Sequence, residues 1–149
     1  MNRFRFRFSS VLRYREILEE SKKREFGTAM DHLRHEEDMM RSLDDLIAGH
    51  EQLAEESSQG PVSVAHLQNM YNYARRLDHE REGQEKIVHE ARAEADKRRD
   101  DLIEATRNKK IFERLEERDR EAWNLEARKE EQAFSDEISV QNYTRRTKD

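Results

Sequence analysis

Cysteine is absent from this chain, so it can form no disulfide framework, thiolate nucleophile or cysteine-based zinc site. Proline occurs once, at Pro61, and glycine only four times, which leaves no Gly-rich phosphate loop and allows one obvious break in regular structure. Apolar residues make up 34% against 42% charged, too little to fill a thick globular core at this length. No apolar run approaches the roughly 20 residues needed to span a bilayer, and the N-terminus has no continuous apolar stretch of the secretory type. These absences imply a soluble, cytoplasmic chain that is either disordered or built from long, thin helices.

The pattern that is present argues for helices. Apolar and small residues recur at heptad spacing through most of the sequence, which a disordered chain would not sustain. The fold class expected is all-α: two long helices in an antiparallel coiled-coil hairpin, the second longer and overhanging the first. The boundaries are an arm over 1–9, helix over 10–57, turn over 58–63, helix over 64–137 and a tail over 138–149.

Arg3-Phe4-Arg5-Phe6-Arg7-Phe8 alternates cation and aromatic, so in extended form it sets three Phe on one face and three Arg on the other. With no partner strand in a helical sequence, this reads as a flexible or helix-merging docking arm, capped by Ser9 or Ser10. The first helix has its seam at Val11, Tyr14 and Leu18, then an eight-residue step to Phe26 beside Gly27, where a local irregularity is expected. Ser57-Ser58-Gln59-Gly60-Pro61-Val62-Ser63 is the turn, with Gly60 as C-cap and Ser63 as the next N-cap. The second helix steps by three and four from Leu67 through Leu77, Arg81, Gln84, Arg98 and Lys109 to Phe112. Its seam is narrow, rich in Ala and interrupted by polar residues.

Folding back at residue 60 sets Phe8 near Phe112 and leaves the remaining helix, with Trp123 and Phe134, without a partner. Charge is also uneven. Residues 1 to 24 hold eight Lys/Arg and three acids, whereas residues 31 to 56 hold nine acids and two Arg. A basic tip that meets an acidic protein fits this better than a nucleic-acid surface.

Catalytic chemistry has little foothold. His32, His35 and Glu36 share a helical face, but no His follows a Glu by three residues and none begins a His-Glu-x-x-His motif. They read as solvated side chains, and a thin coiled coil encloses no carboxylate pair for acid-base work. No catalytic residue, metal or cofactor is expected.

The opening Phe-x-Phe-x-Phe arm, Val11-Leu12-Arg13-Tyr14-Arg15-Glu16, and Lys110-Ile111-Phe112-Glu113-Arg114-Leu115-Glu116-Glu117-Arg118 together resemble the FliJ family of flagellar export proteins. Lys129-Glu130-Glu131-Gln132 and Asp136-Glu137 look like its closing elements, while Gly27, Gly49 and Trp123 depart from the pattern. The resemblance implies a non-enzymatic stalk of the flagellar type III export apparatus. Such a stalk inserts the end holding both termini into the hexameric export ATPase (FliI-like), stimulates it, and contacts the export gate protein (FlhA-like) and export chaperones. The ATPase-binding residues it implies are Phe8, Leu12, Arg13, Arg15, Lys110, Glu113, Arg114 and Glu117; the gate-binding residues are Tyr73 and Leu77. The chain would be monomeric when free and peripheral, through its partners, at the cytoplasmic face of the inner membrane.

Two arms of about 50 residues would span on the order of 75 Å, enough to bridge a ring and a membrane platform. The alternatives are the related YscO-type stalk of a virulence secretion system, a dimeric coiled-coil adaptor, and a nucleic-acid arm using Arg3, Arg5 and Arg7.

Overall fold

A computed structural model describes residues 3–147 of the chain. Two long helices, α1 (Ser9–Ser57) and α2 (Val64–Arg146), pack against each other, and the described residues contain no strand. This is the all-α helical hairpin that the periodicity predicts. No helix among the described residues is long and apolar enough to cross a membrane.

The helix ends are set by local hydrogen bonds. Ser63 caps α2 as expected: the His66 N–H donates to its Oγ at 3.2 Å and the Leu67 N–H to its carbonyl at 3.2 Å. At the end of α1, Ser58 Oγ donates to the Glu55 carbonyl at 2.7 Å, and no glycine adopts positive φ. The expected left-handed Gly60 cap is therefore replaced by a serine hydroxyl.

Ser9 is already the first helical residue, and the carbonyl of Phe8 accepts from the Leu12 N–H at 2.9 Å. The N-cap position thus falls on Phe8 rather than on Ser9 or Ser10, because packing of the Phe8 ring fixes where the arm ends.

Two further expectations are corrected. The helix α1 runs unbroken through Gly27 and Gly49, since packing along a long helix outweighs a propensity cost of about 1 kcal/mol per glycine. The helix α2 runs past 137 to Arg146. No Pro or Gly stops it, its Ser139 and Thr144 hydroxyls bond back to the Ser135 and Val140 carbonyls, and Arg145 and Arg146 complement the negative end of the helix dipole.

The chain forms two compact units, one of residues 1–20 with 104–149, the other of residues 21–103. In the second, Leu33 packs between Ala91 and Ala95, with Ala29, Met30 and Val88 around them. The alanines let the helix backbones approach closely, so the core is thin. Its polar seam positions are met from α1: Gln84 Nε2 donates to the Glu36 carbonyl at 2.9 Å and to its Oε2 at 2.6 Å. Arg81 reaches Asp44 at 2.7 Å, and Arg98 reaches Glu25 at 2.9 Å. Partner numbers fall along α2 as they rise along α1, which is antiparallel packing.

Candidate functional site

The first unit carries the arm. Residues 3–6 are irregular and lead through a turn into α1. The alternation seen in the sequence is realised spatially: the Phe rings turn onto protein, while Arg3, Arg5 and Arg7 are exposed. Phe6 is only 8% exposed and meets Phe8 edge-on at 5.9 Å. Phe8 meets Phe112 at 6.2 Å, the neighbour expected from folding at residue 60.

Further along, Phe4 packs edge-on against Trp123 at 6.0 Å, and the Arg120 guanidinium lies 5.2 Å from the centre of the Phe4 ring. Such aromatic and cation–π contacts contribute about 0.5–1.5 kcal/mol each beyond simple burial. The arm is therefore seated on α2 through Phe4 and Phe8. The helix around Trp123 is likewise not a bare overhang; the uncovered stretch begins after Ala127, which is 9% exposed.

The predicted ATPase-facing residues fall in this unit with unequal accessibility. Arg13, Lys110, Arg114 and Glu117 are exposed. Phe8 is half-buried on Phe112, and Glu113 is half-buried beside Lys109 at 3.5 Å. Arg15 is half-buried, its guanidinium 5.8 Å from the Tyr14 ring and its Nε shielded from water without a hydrogen-bond partner. Leu12, at 8% exposure, belongs to the core.

In the second unit, Leu77 is 3% exposed and lies in the core of the hairpin. Tyr73 is half-buried, with the His50 ring at 4.9 Å and the Arg76 guanidinium at 5.2 Å.

Beneath the surface of the first unit lies an ion pair that the heptad reading did not reveal. Glu19, 6% exposed, accepts from Lys109 Nζ at 3.2 Å. That hydrogen bond, with the nearby Glu19 and Glu113 charges, holds the Lys109 ammonium above its ordinary pKa. Arg120 was also missed, although it lies three residues before Trp123 and therefore shares its helical face.

Glu36, once grouped with His32 and His35, is engaged by Gln84, and no cluster among the described residues is arranged to hold a metal. The arrangement has the means to bind a protein surface by charge and aromatic contact.

No curated protein and no solved structure matches the chain. The sequence model of the family described as the flagellar FliJ protein does match, over residues 4–148, from the seated arm to the end of α2. Because that match covers nearly the whole chain, this protein belongs to the FliJ family.

Proposed function

We propose that this protein is a non-enzymatic stalk of the flagellar export apparatus that binds the hexameric export ATPase through its first unit. Family membership supports a role in flagellar export. The observation that carries the finer reading is the contrast between two sets of cations. Those in the helix seam, Arg81, Arg98 and Lys109, each hold a carboxylate of α1. Arg3, Arg5, Arg7, Arg13, Lys110 and Arg114 are exposed and make no ion pair among the described residues.

Cations left without a carboxylate partner on an aromatic-backed surface are suited to an acidic ring interior, where they would set orientation and association rate. Insertion between ATPase subunits would raise turnover without supplying a catalytic group. Tyr73 is the side chain we assign to the export gate, with export chaperones as further partners. The protein would sit at the cytoplasmic face of the membrane through these contacts.

The test is ATP hydrolysis by the cognate export ATPase, titrated with the wild-type chain and with Arg13→Glu/Arg114→Glu. Both side chains are exposed, so helicity should be unchanged. Stimulation by wild type that is weakened at least about tenfold in apparent affinity by the double reversal is the expected result. Equal stimulation by both proteins would remove this surface from the reading.

A further inference from the structure

We propose that the last turns of α2 pair antiparallel with the same segment of a second copy of this chain. The inference does not depend on the ATPase reading. At 100° per residue, Trp123, Ala127, Phe134 and Ile138 fall on one stripe of α2, followed by Gln141 and Arg145. The upper part of that stripe is already an interface: Phe4 covers Trp123, and Ala127 is 9% exposed. Beyond it the stripe continues uncovered, with Phe134 66% and Ile138 43% exposed. Among the described residues the arm meets α2 no further along than this level, where Arg3 and Phe4 line one recess with Trp123 and Asn124.

Charge selects the occupant. Residues 130–137 carry Glu130, Glu131, Asp136 and Glu137 and no cation, whereas residues 139–147 carry Arg145 and Arg146 and no acid. An in-register parallel pair would set the acids of residues 130–137 beside each other, and likewise Arg145 and Arg146. An antiparallel pair centred on Ile138 sets Glu131 of each copy level with Arg145 of the other, on the same flank of the stripe. Phe134 then packs beside Ile138 and Gln141 of the opposite copy. The two-fold axis makes each contact occur twice, as an isologous interface requires.

Val140 and Tyr143 point to the other side and take no part. The contact is only a few helical turns long, below the size of stable interfaces, so the pair forms and separates readily and the chain is monomeric when dilute.

Sedimentation of the full-length chain over a wide concentration range tests this directly. Wild type should pass from monomer to dimer, and Ile138→Asp should remain monomeric. Glu131→Arg and Arg145→Glu should each weaken the dimer roughly tenfold, because each reversal acts at two symmetric places. The combined Glu131→Arg/Arg145→Glu chain should regain wild-type association.

The absence of native cysteine permits a second readout. Under mild oxidation Ile138→Cys should form a disulfide-linked dimer, and Val140→Cys should not. A wild-type chain that stays monomeric at every concentration overturns the proposal, as does a double reversal that associates no better than the single variants.

Discussion

Lys109 donates from Nζ to the Glu19 carboxylate at 3.2 Å, and Glu19 is 6% exposed, so a charge of the α1 seam is held almost out of water. Removing the cation takes one partner from a largely buried carboxylate, which costs more than breaking an exposed pair would. Lys109→Met is expected to lower stability by about 1–3 kcal/mol. Glu19→Leu/Lys109→Leu should recover most of the loss by turning the layer apolar. Urea unfolding followed by helical circular dichroism measures both, and a double variant no more stable than the single would show that neither charge is costly to bury.

Trp123 is the only tryptophan, and Phe4 packs on its edge at 6.0 Å. Phe4→Ala should expose the indole, shift its fluorescence to longer wavelength and speed tryptic cleavage after Arg3, Arg5 and Arg7. The contact's contribution of about 0.5–1.5 kcal/mol predicts a small change in overall stability beside a clear local one. An unchanged emission spectrum would mean that the arm does not rest on Trp123 in solution.

Gly27 and Gly49 lie inside α1, without positive φ, and a Cβ at either would meet nothing within 4 Å. Gly27→Ala and Gly49→Ala should therefore each stabilise the chain by about 1 kcal/mol, visible as a higher urea midpoint at unchanged slope. Destabilisation would show that these positions are bent or contacted in a way an ideal helix does not require.

The Glu25 carboxyl is held below its ordinary pKa, first by the hydrogen bond from Lys22, which outweighs the opposing effect of desolvation, and then by the charges of Lys22 and Arg98. Its folded pKa lies under the unfolded value, so its contribution is complete above about pH 4.3 and fades as pH falls through the folded value. Lys109, Arg81 and Arg98 are shifted upward, so what they contribute is lost only at strongly basic pH. Helical signal should hold through neutral pH and weaken below about pH 4.3, and Glu25→Gln should flatten that acid limb. A variant whose acid limb matches wild type would assign the loss to other carboxylates.

The helices, their direction and the Phe8–Phe112 level were legible because heptad spacing and one Gly-Pro turn leave few other arrangements. For Leu12 and Leu77, family resemblance does not separate surface from seam. An apolar residue in a binding motif looks like a contact, yet the same residue at a seam position is consumed by the fold. The seating of Phe4 on Trp123 and the Glu19–Lys109 pair were illegible for another reason: each joins residues about a hundred positions apart, and periodicity reports which face a residue occupies, not what lies opposite. The end of α2 at Arg146 shows the limit of composition, since a polar, serine- and threonine-rich tail lacks any helix breaker.

The seam in which Gln84, Arg81, Arg98 and Lys109 stand where a leucine zipper would place aliphatic side chains has a calorimetric consequence. Apolar surface exposed on unfolding raises heat capacity and polar surface lowers it, so a helix pair joined by alanine and ion pairs unfolds with a small heat-capacity increment. Its free-energy curve against temperature is accordingly shallow, with a broad maximum and little tendency to denature in the cold.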